Sequence, residues 1–220
     1  MIPIFDLDDT LYDESTFVES GIRAVADWMS QERGISQKEC FKKMMLVLER
    51  EGRGKVFDQI LGNYGVNSKA MVSKCIKIYR HHTPKIELYP EAVELLDGLA
   101  GKRIYLVTDG HKIVQANKVT ALGLWAKFEK VFITHRYGIK NMKPSLHCFQ
   151  IIKEREKCYW NDLVYVGDNP AKDFVSLNQK GAHTVRLIKG HHRHVTAKYG
   201  FDAEQHIDEL REFSELKFAL

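Results

Sequence analysis

The sequence predicts an α/β fold built on a parallel sheet, with a separate all-helical domain inserted near the N-terminus. Short runs rich in β-branched and aromatic residues alternate with helical patterns over most of the chain, as they do in parallel sheets. The stretch 15–84 breaks this alternation and contains no convincing strand. Polar residues follow several of the predicted strands, where ligands gather in sheets of this kind.

Five strands are predicted from short apolar runs, at 2–5, 104–108, 131–134, 163–167 and 184–188. Between them, one helix begins at Pro90, which is favourable as a first helical residue, and extends to Gly101. A second helix spans 110–122, and two more begin near Pro144 and Pro170. The order of these elements predicts a Rossmann-like parallel sheet with helices on both faces.

The stretch 15–84 shows four helical patterns. Val18 and Ile22 begin an apolar series at helical spacing, and Thr16 with Glu19 is a candidate capping box. The other three helices are predicted to begin at Ser36, which also fits a capping box, and to cover 56–64 and 68–82. The predicted domains are therefore an α/β core formed by 1–14 and 85–220, and a helical cap domain formed by 15–84.

Composition indicates an ordinary globular protein that does not span a membrane. The 220 residues are 44% hydrophobic and 28% charged, and no run of 18 apolar residues is present. The net charge of +4 suits anionic small molecules, whereas nucleic acid is not expected because Lys and Arg are interleaved with acidic residues. The N-terminus has no secretory signal, and the four cysteines form no CxxC pair. These features predict a cytoplasmic protein with free thiols.

Two carboxylates come directly after the first predicted strand. In an extended chain side chains alternate in direction, so Asp6 and Asp8 should point the same way at the strand end. Repulsion between them calls for a compensating charge, and a divalent cation such as Mg²⁺ suits ligands that are all oxygen. A carboxylate beside Mg²⁺ can attack phosphorus, while its neighbour carries the proton.

Further polar residues are predicted at other strand ends. Thr108 and Asp109 close one strand and open a helix, where a hydroxyl and backbone N–H groups form a phosphate cradle. Lys143 precedes a predicted helix and can supply positive charge to a transferring phosphoryl group. Asp168 follows the fourth strand and would complete an oxygen-rich cation site. Each signal alone is weak, but their order along the chain is specific.

This order resembles the haloacid dehalogenase superfamily of phosphohydrolases over nearly the whole chain. Asp6–Thr10 resembles the first motif of that family, Thr108–Gly110 the second, Lys143 the third and Gly167–Asp173 the fourth. The helical stretch resembles the cap of the subgroup that carries its cap after the first motif. Asp109 is a departure, because the second motif usually has Asn there; the added charge is expected to affect substrate choice rather than to abolish activity.

By this resemblance, Asp6 is the nucleophile that forms an aspartyl-phosphate. Asp8 protonates the leaving oxygen and then activates water to hydrolyse the intermediate. The resemblance also implies that Mg²⁺ is held by Asp6, the main-chain carbonyl of Asp8 and Asp168.

The same resemblance assigns the phosphate-binding residues. Thr108, with Asp109 beside it, and Lys143 are expected to bind the phosphoryl oxygens. Asp173 is expected to support Lys143 or a water molecule bound to the metal.

Three other features are open to more than one interpretation. Arg53 and Lys55 lie in a Gly-rich break of the helical stretch and either hold a second anionic group of the substrate or form a solvated turn. His111 is expected to be a helix N-terminal residue rather than a substrate contact. The cluster His191–His194 is expected to be a solvated loop rather than a metal site.

The predicted function is a Mg²⁺-dependent phosphatase for a small phosphomonoester such as a sugar phosphate or a nucleoside monophosphate. A phosphomutase of the same fold would keep the same residues. A dehalogenase is disfavoured because it lacks the acid at Asp8, and a non-catalytic receiver-like module is disfavoured because it lacks the helical insertion. A nicotinamide-dependent oxidoreductase is disfavoured because no GxGxxG follows the first strand. The sequence leaves the substrate and the oligomeric state open.

Overall fold

The chain divides into two compact units in the computed structural model, which describes residues 1–216. The core unit consists of Met1–Glu14 together with the chain from Glu87 onward, and the helical unit is Ser15–Ile86. The core unit contains every strand among the described residues.

The core unit is built on one six-stranded parallel sheet with the strand order β3-β2-β1-β4-β5-β6. The strands are β1 Ile2–Phe5, β2 Tyr105–Thr108, β3 Lys130–Ile133, β4 Leu163–Gly167, β5 His183–Leu187 and β6 Gln205–Ile207. Because β1 lies between β2 and β4, the residues that follow these three strands meet at one edge of the sheet.

Eight α-helices accompany the sheet in residues 1–216. They are α1 Glu14–Arg33, α2 Gln37–Glu51, α3 Val56–Asn63, α4 Lys69–His81, α5 Pro90–Gly98, α6 Lys112–Ala121, α7 His147–Glu156 and α8 Val175–Asn178. The predicted fold class, a parallel sheet with helices and an additional helical domain, is confirmed.

The apolar core of the sheet forms around its central strand. Ile4 is in register with Tyr105 on one side and with Tyr165 on the other, and all three are fully buried. Phe149 of α7 packs edge-on against Tyr165, with ring centroids 5.0 Å apart. A continuous apolar run such as β1 is typical of a strand that is covered on both faces.

The helical unit has its own apolar core. Its buried residues come from all four helices and are Val18, Ile22, Val25, Ala26, Met29, Cys40, Met44, Val47, Val56, Ile60, Leu61 and Cys75. The hydroxyls of Ser36 and Ser68 cap α2 and α4 by accepting from the backbone N–H groups of Glu39 and Met71. Across residues 1–216, no helix combines the length and apolar character that a membrane crossing requires.

Two predicted details were wrong, and one strand was missed. Helix α1 begins at Glu14, so Thr16 lies inside it; the N–H of Glu14 donates to the carboxylate of Asp9 at the start of this helix. The helix expected near Pro170 begins only at Val175, because a turn occupies the residues between them. The three-residue strand β6 was not predicted.

Candidate active site

Three strand ends bring polar residues together. Asp6 follows β1, Thr108 is the last residue of β2, and Asp168 follows β4. All three are buried, with at most 4% of their surface exposed. The backbone N–H of Asp6 donates to the carbonyl of Val166 at 2.8 Å, which extends the β1–β4 pairing to the nucleophile candidate.

Asp6, Asp168 and Asp173 form a buried acidic cluster. One carboxylate oxygen from each lies within 4.8 Å of the other two. Gly167 provides the space for this approach, since a Cβ there would lie 2.7 Å from Asp173 Oδ2. Burial, followed by the nearby carboxylates, raises the pKa of Asp168 to about 9. Burial likewise raises the pKa of Asp6 to about 7, although Lys143 opposes that rise.

The acidic cluster suits a hard divalent cation. Its donors are all carboxylate oxygens, which are ligands of Mg²⁺ and Ca²⁺. Asp6 Oδ1 is buried and accepts no hydrogen bond from residues 1–216; the Lys143 ammonium, 3.0 Å away, makes only an ion-pair contact with it. No other group of three or more His, Cys, Asp or Glu side chains in that range has its ligand atoms this close together.

Lys143 neutralises part of this cluster. Its buried ammonium lies 3.0 Å from Asp6 Oδ1 and 2.8 Å from Asp173 Oδ1. Burial alone would lower the pKa of Lys143, but the carboxylates of Asp173 and Asp6 outweigh it and raise that pKa well above its usual value. The lysine is therefore positively charged and faces the same acidic pocket as the nucleophile candidate.

Tyr165 was missed by the sequence analysis. Its hydroxyl accepts from Lys143 Nζ at 2.8 Å and lies 3.4 Å from Asp173 Oδ1. A tyrosine inside a continuous apolar strand needs a buried partner for its hydroxyl, and this requirement was the available signal. The residue orients the Lys143 ammonium between the two carboxylates.

The carboxylate of Asp8 lies in a different environment from the acidic cluster. Its Oδ1 accepts from Tyr12 at 2.5 Å and from Lys118 at 2.6 Å, and its Oδ2 accepts from Gln115 at 2.9 Å. Lys118 also lies 3.3 Å from Glu14. The two carboxylates of the first motif thus have separate partners, whereas the sequence suggested that both would crowd around one cation.

Gln115 and Lys118 were also missed, although their positions carried a signal. Both are 1% exposed on α6. They precede the buried residues Val119 and Leu122 by four positions each, so they lie on the apolar face of the helix. A polar residue in phase with the buried face of a helix requires a buried partner.

Asp109 has an internal role. Its carboxylate accepts from the Thr134 hydroxyl at 2.5 Å, the Lys143 N–H at 3.1 Å and Lys172 Nζ at 3.2 Å. Burial would raise the pKa of Asp109, but Lys143 and Lys172 outweigh it and hold that pKa below its usual value. Asp109 therefore holds the backbone of the loop that contains Lys143. Any contact of Asp109 with phosphate would come from its own backbone N–H.

The remaining candidate residues have surroundings of their own. Arg53 and Lys55 are exposed in a short 3₁₀ turn of the helical unit, Arg53–Lys55. His111 caps α6 by accepting from the N–H of Ile113 at 3.4 Å. The segment His191–His194 contributes no ligand to a group of metal-binding side chains among the described residues.

Comparisons with known proteins identify relatives of this chain. The family model for haloacid dehalogenase-like hydrolases matches residues 3–187. A glyceraldehyde 3-phosphate phosphatase of Methanocaldococcus jannaschii is 31% identical over 199 residues, which cover 86% of each chain. The enzyme of the same name from Methanopyrus kandleri is 28% identical over 220 residues, covering 95% of this chain and 93% of the relative.

Solved structures show the same fold. A haloacid dehalogenase superfamily hydrolase of subfamily IA from Geobacter sulfurreducens has a TM-score of 0.68 at 17% identity, covering 97% of this chain and 94% of the other. The hydrolase YfnB of Bacillus subtilis, solved with bound magnesium, has a TM-score of 0.67 at 17% identity, covering 97% and 96%.

Proposed function

The chain belongs to the haloacid dehalogenase-like hydrolase family, and we propose that it is a Mg²⁺-dependent phosphatase that hydrolyses a small sugar phosphate through an aspartyl-phosphate. The observation that carries this proposal is the difference between the two carboxylates of the first motif. Asp6 faces Lys143 in the acidic cluster, whereas Asp8 is surrounded by hydrogen-bond donors. A nucleophile and an acid–base group need such different environments.

In the proposed reaction, Asp6 attacks the phosphorus atom while the bond from phosphorus to the leaving oxygen breaks. Asp8 gives its proton to that oxygen. Asp8 then takes a proton from water, which attacks the aspartyl-phosphate and releases inorganic phosphate and the free Asp6 carboxylate. The Lys143 ammonium and the Thr108 hydroxyl bind the phosphoryl oxygens throughout.

The donor set of the acidic cluster supports Mg²⁺ as the cofactor. Asp6, Asp168 and the main-chain carbonyl of Asp8 would hold the ion, while Asp173 supports Lys143. When bound, the ion supplies positive charge to the phosphoryl group and offsets the repulsion between the buried carboxylates.

A sugar phosphate is the substrate class that the relatives favour. The two relatives described above are both named for glyceraldehyde 3-phosphate. The test is phosphate release from that compound, other sugar phosphates and nucleoside monophosphates in the presence of Mg²⁺. Sugar phosphates should be hydrolysed fastest. A wild-type protein that releases phosphate from none of these compounds overturns the proposal. Conversion of a phosphate ester to its isomer would identify a mutase instead.

Asp8→Asn should lower kcat for the best substrate by about 10²- to 10⁴-fold, the usual contribution of a general acid–base group. Asparagine keeps the size of the side chain and its acceptor oxygen, but it neither carries nor accepts the transferred proton. Steady-state kinetics with a saturating sugar phosphate measures the loss. Asp97→Asn, on α5 of the core unit and largely exposed, is the matched control and should retain full activity. Equal rates for Asp8→Asn and wild type would exclude this role.

We also propose that the helical unit, Ser15–Ile86, acts as a cap that selects the substrate. Its exposed turn at 53–55 carries two positive charges that suit a second anionic group of the substrate. The combined Arg53→Ala and Lys55→Ala variant should raise KM about 10-fold for substrates that carry an anionic group in addition to the phosphate. This is the loss expected for one charged hydrogen bond. KM for substrates without a second anionic group should not change.

The control for this variant removes two other positive charges from the same unit. Lys38 and Lys42 are exposed on α2, so Lys38→Ala with Lys42→Ala tests for a general effect of charge. If both double variants raise KM equally, Arg53 and Lys55 do not select the substrate.

A further inference from the structure

Gln115 is a buried neutral side chain that connects two functional groups. Its Nε2 donates to Thr108 Oγ1 at 2.7 Å and to Asp8 Oδ2 at 2.9 Å. A side-chain amide carries two N–H hydrogens, and these two contacts use both of them. The orientation of the amide follows from chemistry: reversing it would turn the carbonyl oxygen toward the Asp8 carboxylate, and two acceptors would then face each other.

The contact with Thr108 determines what its hydroxyl can do. A threonine hydroxyl has one hydrogen and two acceptor lone pairs. Because Gln115 is the donor in their hydrogen bond, the hydrogen of Thr108 is left to point at another acceptor. A phosphoryl oxygen is such an acceptor. Gln115 therefore makes Thr108 a donor at the end of β2.

The contact with Asp8 completes the support of that carboxylate. Tyr12 and Lys118 both donate to Oδ1, whereas the contact to Oδ2 comes from Gln115. Contacts on both oxygens fix the plane of the carboxylate, which a single contact would leave free to rotate. The rotamer of Asp8 thus depends on the same amide that orients Thr108.

The backbone makes room for this arrangement. Gly110 has a φ of +132°, and a Cβ there would lie 3.0 Å from Cδ and Oε1 of Gln115. The backbone N–H of Gln115 donates to the His111 carbonyl, so the residue belongs to the first turn of α6. The turn after β2 therefore holds the Gln115 side chain between two strand ends.

We propose that Gln115 is a positioning residue that orients the Thr108 hydroxyl toward the phosphoryl group and holds the Asp8 carboxylate for proton transfer. This inference rests on the proposed phosphatase function. Gln115 touches neither the phosphorus atom nor the leaving oxygen, so it acts through its two partners.

Two substitutions separate positioning from packing. Gln115→Glu keeps the shape but replaces both donors with acceptors, so it captures the Thr108 hydrogen and repels Asp8. Gln115→Met keeps the approximate volume and removes the donors without adding charge. We expect kcat/KM to fall about 10-fold in Gln115→Met and about 100-fold or more in Gln115→Glu, since hydrogen bonds to charged groups are among the stronger ones.

Gln150→Met is the matched control. Gln150 lies on α7 at the surface, where its amide donates to Glu154 at 2.7 Å. This variant undergoes the same chemical change as Gln115→Met and should retain the wild-type kcat/KM. Thermal unfolding of each variant verifies that the kinetics report on folded protein.

Inhibition by inorganic phosphate tests the route through Thr108. In the wild-type background, Gln115→Met should weaken phosphate inhibition about 10-fold. In a Thr108→Val background the same substitution should change it less than about 2-fold, because the hydroxyl that Gln115 orients is gone. A packing role predicts that the two losses multiply, and that result would overturn the inference. This comparison uses only Gln115→Met, so it holds even if Gln115→Glu does not fold.

The outcomes distinguish this inference from the proposed function. A wild-type protein that hydrolyses sugar phosphates while both Gln115 variants match Gln150→Met contradicts the role of Gln115 alone. A wild-type protein that hydrolyses no phosphomonoester contradicts the proposed function itself.

Discussion

Asp6→Asn should abolish phosphate release from an aryl phosphate, with a loss on the order of 10³-fold or more. The amide oxygen of asparagine is a poor nucleophile and cannot form the acyl-phosphate bond that the proposed reaction requires. A continuous assay of the coloured aryl alcohol measures this loss directly. Asp6→Ala should behave in the same way, which excludes recovery of activity by deamidation of the asparagine.

The same substitution should leave the fold intact. Asp6 is a buried carboxylate beside Asp168 and Asp173. Burial raises its pKa to about 7; Lys143 opposes this rise and repulsion from Asp173 adds to it. A neutral side chain at this position relieves the repulsion, so the metal-free variant should be at least as stable as wild type. Asp97→Asn is the control, because the carboxylate of Asp97 is largely exposed in a surface ion pair with Lys127. An Asp6→Asn protein with activity within tenfold of wild type contradicts the nucleophile assignment.

Removal of Mg²⁺ should also stop turnover and should lower the melting temperature. A ligand at 100 times its dissociation constant stabilises the folded state by about 2.7 kcal/mol. The acidic cluster is the group of side chains that such an ion would neutralise. Differential scanning calorimetry in chelator and in excess Mg²⁺ measures this stabilisation, and a phosphate-release assay under the same two conditions measures activity.

Asp168→Asn tests whether the stabilisation by Mg²⁺ depends on the acidic cluster. Burial, with repulsion from Asp6 and Asp173, raises the pKa of Asp168 to about 9, so the neutral variant should melt at a higher temperature than wild type in chelator. It should also lose most of the stabilisation by Mg²⁺, since one ligand is weakened. Asp97→Asn should keep the full Mg²⁺ effect. A full effect in Asp168→Asn would contradict a metal site at this cluster.

The sequence predicted the central strands accurately because they are short apolar runs that end at a polar residue. The strands β1 and β4 were predicted with their observed limits. The edge strand β6 was missed because its three residues, Gln205–Ile207, include two exposed polar side chains and form no apolar run. Its strand character comes from pairing with β5, which the local sequence does not encode.

The start of α1 illustrates the same limit. The local pattern favoured Thr16 as the cap, but the helix begins at Glu14. The N–H of Glu14 donates to Asp9, which belongs to the first motif and has a positive φ of 52°. That carboxylate also accepts from the backbone N–H of His191, a contact between residues distant in sequence. A contact of this kind at the start of a helix depends on the folded turn rather than on a capping-box spacing.

The motif residues of the candidate site were predicted because they follow strands, and parallel strands deliver their ends to one edge. The supporting residues were not predicted, because they lie in strand, turn and helix segments outside the sequence motifs. These residues are Tyr12, Gln115, Lys118 and Tyr165. Only the three-dimensional packing shows that their polar atoms meet the motif carboxylates. The role of Asp109 in fixing the Lys143 loop is hidden for the same reason.

The covalent role of Asp6 is the central claim, and trapping the intermediate tests it most directly. The protein is mixed with substrate and Mg²⁺, quenched in acid within a single turnover and reduced with borohydride, which converts an aspartyl-phosphate to homoserine. Peptide mass spectrometry then locates the modified residue. We expect the modification at Asp6, with none in Asp6→Asn. Modification of a different residue, or active protein with no modification at Asp6, would contradict the mechanism.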